Sequence, residues 1–192
     1  RGTETFLRLA SGQVVDIGSY TNAFNVGRDW YFYGAGRLVR YVDGSMVALD
    51  TAFAANLNPY TAIAGATLYG VSDIAIARAM TLTGQTTLDT RGYAIQLSGV
   101  IDGNGSLDVR GGGRLTLLGA NRYTNGTSIT DATLIGNTVS LGGAIANAGT
   151  LVFDQTFDGI FRGTISGSGM ITKTGTGVLV LAGFQPFSGS IH

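Results

Sequence analysis

LSGVIDGNGSLDVRGGGRLTLLGANRY, residues 97–123, and FRGTISGSGMITKTGTGVLVLAGFQPF, residues 161–187, are two copies of one pattern set 64 positions apart. Superposed without a gap they share nine residues: Gly99/Gly163, Ile101/Ile165, Gly103/Gly167, Gly105/Gly169, Gly111/Gly175, Gly113/Gly177, Leu115/Leu179, Leu117/Leu181 and Gly119/Gly183. Six are glycine and three are aliphatic, so turn geometry and inward packing repeat, not a set of reactive groups. Such repetition points to a stacked architecture in which each unit touches its neighbours. It suits a shaft or a binding surface better than an enclosed pocket.

Working outward, Ser106–Val109, Arg114–Leu118, Thr150–Phe153 and Gly177–Leu181 alternate apolar and polar residues as half-buried strands do. Asp102–Gly105, Gly111–Gly113, Gly142–Gly143, Gly167–Gly169 and Gly175–Gly177 separate them as tight turns. The spacing is too short for helical crossovers, which leaves an antiparallel sandwich or a parallel β-helix. The aligned copies favour the second, with equivalent aliphatic residues standing above one another as inward ladders. The candidates are Ile101, Leu107, Leu115, Leu117, Ile129, Leu134, Leu141, Ile145, Leu151, Phe153, Ile165, Ile171, Leu179 and Leu181. At roughly 20–25 residues per coil and about 4.8 Å between coils, the chain is expected to form on the order of eight coils, a rod of about 40 Å.

Charged residues are only 12% of the 192, and there is no cysteine. Eleven of the twelve acids are Asp and eleven of the twelve bases are Arg, so the charged helix formers Glu and Lys are nearly missing while β-formers and turn formers abound. Stacking, not disulfides, must hold such a fold. The net charge of zero and the lack of a clustered basic face argue against nucleic acid as a partner. No apolar run is long enough to cross a bilayer as a helix, and no signal peptide is visible. The chain begins and ends in mid-pattern and reads as a piece of a longer protein.

Composition divides the chain near residue 96: the first half holds 11 glycines and 12 aromatics, the second 20 and 6. The expected domains are an irregular, aromatic-rich β module or N-terminal coils over 1–79, and a parallel β-helix over 80–192 with repeat copies at 97–134 and 161–192. Within the first, Trp30–Tyr33 and Arg37–Val42 flank Gly34-Ala35-Gly36 as a hairpin near 30–42. Residues 50–57 read as a short helix capped by Asp50 and stopped before Pro59.

Leu97–Leu107 and Gly113–Ile129, with Lys173-Thr174-Gly175-Thr176-Gly177 and the Leu179/Leu181 strand of the second copy, resemble the passenger-associated transport repeat of bacterial autotransporters. The pattern is a Gly-x-Gly turn, Lys-Thr-Gly-x-Gly, a Leu-x-Leu strand, Gly-x-Asn-x-Tyr and Gly-x-Thr-x-Ile. Val109-Arg110 replaces Lys-Thr in the first copy, Asn125 is a one-residue insertion, and Gln185 and Phe187 stand for Asn and Tyr in the second. The resemblance covers about residues 80–192. It implies an all-β, right-handed parallel β-helix (solenoid), a passenger displayed on the outer membrane of a Gram-negative bacterium or secreted. It further implies an outer-membrane translocator in the full-length chain. Many such passengers are adhesins or self-associating proteins, and the family carries no common catalytic residues.

Chemistry-bearing constellations are sparse. The single histidine is His192, and no Gly-x-Ser-x-Gly elbow lies between strand and helix, so a catalytic serine has no partners. Metal ligation by His or Cys is not expected, and Asp102–Asp108 fails the spacing of a calcium roll. Gly111–Gly113 precedes a strand and lacks the Lys-Ser/Thr of a phosphate loop. Asp154 with Asp158, or Asp102 with Asp108, are carboxylate pairs that a β-helix polysaccharide hydrolase or lyase would need. Trp30, Tyr31, Tyr33, Arg37, Arg40 and Tyr41 are the candidate binding residues, because Trp, Tyr and Arg anchor binding surfaces; against this, aromatics equally fill an ordinary core. The structural repeat residues are Gly99, Gly103, Gly105, Gly113, Leu115, Leu117 and Gly119 in the first copy, and Gly163, Gly167, Gly169, Gly175, Gly177, Leu179, Leu181 and Gly183 in the second. The reading is a non-enzymatic passenger segment, without cofactor or metal, for adhesion or self-association. Its partner is a host cell-surface protein or glycan, or the same protein on another cell. The rivals are a structural stem below a functional domain elsewhere, and the polysaccharide enzyme.

Overall fold

The computed structural model describes residues 63 and 65–192 in full and, upstream of them, the backbone of residue 62 and of several strands. Those are β1 (Phe6–Arg8), β2 (Val14–Asp16), β3 (Asn22–Val26), β4 (Asp29–Gly34), β5 (Arg37–Tyr41) and β6 (Met46–Leu49). β1 pairs with β2, β3 with β4, and β4 with β5, all antiparallel. The short helix expected over 50–57 lies outside the described residues.

From β6 onward every described pairing is parallel, and the chain winds as a β-solenoid with three walls. Wall A holds β7 (Ala62–Ile63), β10 (Met80–Leu82) and β13 (Ile101–Gly103), and near the other end β20 (Gly159–Phe161) and β23 (Leu179–Leu181). Wall B stacks β6, β8 (Thr67–Gly70), β11 (Gln85–Asp89), β14 (Ser106–Arg110), β16 (Thr127–Ile129), β18 (Ala144–Asn147) and β21 (Thr164–Ser166). Wall C stacks β9 (Ile74–Ile76), β12 (Ala94–Leu97), β15 (Arg114–Leu117), β17 (Thr133–Gly136), β19 (Thr150–Asp154), β22 (Met170–Thr174) and β24 (Ser190–Ile191). Walls B and C are seven strands deep, about six turns and, at ~4.8 Å per step, roughly 29 Å of rise. The shortest coil returns Leu134 to Leu151 and the longest returns Thr87 to Asp108, so the winding is tighter than the sequence spacing led us to expect.

Period-two alternation puts one side chain in two inside. On wall C, Ile95, Leu115, Leu134, Leu151 and Ile171 stack in register, each no more than 2% exposed. Burial of each such side chain contributes about 1.5–3 kcal/mol. The neighbouring ladder runs Leu97, Leu117, Gly136, Phe153. Where Gly136 leaves a gap, Leu141 fills it. The Phe153 ring meets Phe161 edge-to-face at 5.3 Å. Of the expected ladder residues, Leu179 and Leu181 are half-buried and the rest are buried.

The two sequence copies, however, do not stand above one another. Ile101 lies in β13 on wall A, but Ile165 lies in β21 on wall B; Leu115 lies on wall C, but Leu179 lies in β23 on wall A. The second copy is turned by one wall. Three register steps on wall B carry Asp108 through Ser128 and Ala146 to Ser166. The counterpart of Asp108 in the second copy is Thr172, further along the chain and already on wall C. The offset between copies therefore overshoots three coils by about one wall. All three walls demand the same alternation and the same tight corners, so the motif fits any of them.

The corners explain the glycines. A Cβ at Gly119 would overlap the carbonyl of Gly99 in the coil beneath, and Gly167, at φ +98, would overlap the carbonyl of Asn147. Gly99, Gly103, Gly105, Gly113, Gly163, Gly169, Gly175 and Gly177 press on the preceding coil in the same way, whereas Gly183 faces open space.

Candidate functional site

The repeat's own polar residues act as staples between coils. Asn121 Oδ1 accepts the Ile101 N–H at 2.8 Å, and its Nδ2 donates to the Ser140 carbonyl at 2.9 Å, so one amide ties three coils. Gln185, the equivalent residue of the second copy, accepts the Ile165 N–H at 2.6 Å and donates to the Gly163 carbonyl. The same bond thus recurs one wall away, and Gln substitutes for Asn. Tyr123 enters the core and shares a 2.7 Å hydrogen bond with the Thr127 hydroxyl; burial pushes its phenol above the ordinary tyrosine value. Its counterpart Phe187 is half-buried and makes only apolar contact with the core.

Two more amides were not singled out from the sequence. Asn147, fully buried, donates to the Met170 carbonyl and accepts the Gly149 N–H. Gln155, also fully buried, accepts the Thr138 N–H and donates to Thr138 Oγ1 and the Phe157 carbonyl. The signal was their inward parity in an alternating stretch, where an amide must find buried partners.

The carboxylates weighed for hydrolysis are held by neighbouring main chain and hydroxyls. Asp102 accepts its own coil's Gly103 N–H and faces Arg122 at 3.5 Å. Asp108 accepts from the Ser128 hydroxyl, Asp154 from Thr174, and Asp158 from the Val178 N–H, each across one coil. Among the described residues no three His, Cys, Asp or Glu gather as a metal-ligand set.

The outer surface carries three kinds of feature. Wall B presents a row of Thr67, Thr87, Asp108, Ser128, Ala146 and Ser166 in register. Wall A, near its C-terminal end, exposes Ile160 beside Val180, with Val178 and Phe157 close by in sequence. At the entry to wall C a cleft of about 370 Å³ crosses successive coils, lined by Asp73, Gly92, Tyr93, Ala94, Gly112, Gly113, Arg114 and Thr133. The cleft joins residues as distant in sequence as Asp73 and Thr133, so no local motif announced it.

The aromatic candidates lie on β4 and β5, whose register sets Trp30 opposite Tyr41, Tyr31 opposite Arg40, Tyr33 opposite Leu38 and Gly34 opposite Arg37. The side chains of Trp30, Tyr31, Tyr33, Arg37, Arg40 and Tyr41 lie outside the described residues.

Comparison with known proteins gives two matches. The passenger-associated-transport-repeat family matches residues 107–135 and 171–191. These ranges start at Leu107 on wall B and at Ile171 on wall C, the same offset that separates the two sequence copies. A curated relative, the Adhesin BmaC autotransporter of Brucella suis biovar 1 (strain 1330), is 42% identical over 114 residues. That alignment takes in 57% of this chain and 3% of the relative, so the chain spans a small fraction of the relative's length. No solved structure gives a significant match.

Proposed function

We propose that this chain, which carries passenger-associated transport repeats and is related to autotransporter passengers, serves as a non-enzymatic adhesive segment of such a passenger. The kinship places it at the cell surface, anchored through the outer membrane, or in the secreted fraction. The observation that carries the adhesive reading is the identity to a relative named as an adhesin, over a solenoid whose outward row on wall B is short and polar. A shaft of this kind offers weak contacts at a regular spacing of about 4.8 Å. Many weak contacts engaged together give avidity without a single tight site. The partner is a host cell-surface protein or glycan, or the same protein on another cell, and a translocator in the full-length chain carries the passenger outward. The winding is right-handed, the sense that twisted strands favour in parallel crossovers.

The test is display of the full precursor on cells without adhesins, scored for aggregation and host-cell attachment with and without residues 1–96 and 97–192. Attachment above the undisplayed control supports adhesion. Display confirmed at the surface with neither aggregation nor attachment refutes it. The second reading, a stem that supports secretion and folding, is favoured by the fact that the family matched is a transport repeat. It expects deletion of 97–192 to reduce surface yield while leaving attachment per displayed molecule unchanged.

A further inference from the structure

The cleft at the entry to wall C differs from the rest of the solenoid surface. Tyr93 is 38% exposed, and the residue stacked over its main chain in the next coil is Gly113, where a Cβ would strike the Tyr93 carbonyl. No side chain therefore rises from Gly113 over the Tyr93 main chain, and the ring itself reaches the coil beneath, where a Cβ at Gly70 would come within 3.2 Å of its Cδ2. Gly92 and Gly112 hold φ of +84 and +73 with nothing within 4 Å of a Cβ, so this part of the cleft is bare main chain open to solvent. Asp73 accepts the Ala94 N–H through Oδ1 at 2.8 Å and has no other protein partner among the described residues. Arg114 joins no ion pair among the described residues.

The turn that carries Tyr93 is pre-set. Arg91 holds a φ of +50, uncommon for a residue with a side chain, and its guanidinium lies 4.0 Å from the centre of the Tyr69 ring. Asp89 accepts the Arg91 N–H, and the Tyr93 N–H donates to the Thr90 carbonyl. Arg91 and Gly92, both at positive φ, make a two-residue turn that fixes where Tyr93 leaves the coil.

We propose that this cleft is a subsite for an uncharged saccharide, a sugar ring lying on Tyr93 with its hydroxyls shared between Asp73 and Arg114. The proposal rests on the adhesive reading above. An aromatic face takes the apolar C–H side of a sugar. A carboxylate accepts from hydroxyls and a guanidinium donates to them, so the pair recognises groups that do both. Their charges cancel, which gives no preference for acidic or basic ligands. The volume of about 370 Å³ lies at the small end for ligand sites. The cleft crosses four coils, about 14 Å, which suits a short linear oligosaccharide.

The test titrates the labelled 192-residue chain with cellotriose, maltotriose, lactose and 3′-sialyllactose, followed by amide NMR shifts. At least one uncharged sugar should move the amides of Gly92–Ala94 and Gly112–Arg114 saturably. Tyr93→Ala should then weaken binding about tenfold or more, while Tyr93→Phe keeps it within about threefold. Arg114→Ala should weaken it with the circular dichroism unchanged, and sialyllactose should bind no better than lactose. No shift at these amides from any uncharged sugar at about 10 mM, or a folded Tyr93→Ala that binds as the parent does, overturns the proposal. The same substitution in the displayed precursor separates the two readings. Attachment that survives Tyr93→Ala, when the titration of the parent shows no shift with any uncharged sugar, overturns the cleft and leaves adhesion standing. Loss of adhesion in the parent leaves the titration to decide the cleft alone.

Discussion

Asn121→Ala isolates what the repeat's asparagine does. The amide satisfies the N–H of Ile101 and the carbonyl of Ser140, both in residues only 1% exposed. Removing it orphans a buried donor, at about 1–3 kcal/mol, and deprives the carbonyl of one bond, at about 0.5–1.5 kcal/mol. Asn121 itself is half-buried, so water recovers part of the loss. The expected cost is about 2–3 kcal/mol. Asn121→Asp keeps the acceptor for Ile101 but sets a carboxylate against the Ser140 carbonyl. Its deficit should shrink as the pH falls toward about 4, because a carboxylate set against a carbonyl takes up its proton above the ordinary Asp value and then regains a donor. Asn121→Gln should lose less than Asn121→Ala, since Gln185 makes the equivalent bond in the second copy. The assay is urea unfolding by circular dichroism, together with hydrogen exchange at the Ile101 amide, because a solenoid can open locally. A shift under about 0.5 kcal/mol in Asn121→Ala, with Ile101 exchanging as slowly as in the parent, would refute the staple.

Other outcomes follow from the same structure. Thr86→Val should stabilise the chain by about 1 kcal/mol, since the Thr86 hydroxyl is buried without a partner. Thr127→Val should destabilise by a similar amount, because it strands the Tyr123 hydroxyl; in thermal unfolding, a destabilised Thr86→Val would refute the first assignment and a stabilised Thr127→Val the second. Gly119→Ala should cost about 1–3 kcal/mol through overlap with the Gly99 carbonyl, read as a lower urea midpoint. In this cysteine-free chain, Thr116→Cys with Ile135→Cys should close a disulfide on mild oxidation, being register partners about 4.8 Å apart on one outward face. Thr116→Cys with Val180→Cys, equivalent positions of the two copies, should not, because β23 lies on another wall; mass spectrometry distinguishes the two. Burial raises the folded Tyr123 pKa above its unfolded value, so the folded state holds that proton longer. The stability it contributes is present below about pH 10 and is lost as pH rises from there through the folded pKa. Tyr123→Phe should remove that share of the alkaline decline.

Much of the architecture was legible because it is local. Alternation in Arg114–Leu118 and Thr150–Phe153 marked the inward residues, and Gly-x-Gly marked the corners. The amides at 147 and 155 were not, since an inward Asn or Gln reads as polar surface until its partners one coil away are in place. The surface cleft was invisible for the same reason: Asp73, Tyr93, Arg114 and Thr133 each come from a different coil.

The sequence by itself determined that short strands alternate between tight corners and which residues line the interior, because those properties depend on a period of two and on glycine at sharp corners, while its repeat favoured parallel stacking over a sandwich. Only the tertiary structure decided which wall each copy occupies and which distant side chains share a surface. That assignment is a running sum of strand and corner lengths, and the sum differs from coil to coil: one turn brings Leu134 to Leu151, another brings Thr87 to Asp108. The three walls make the same local demands, so nothing in either copy records where the sum has arrived.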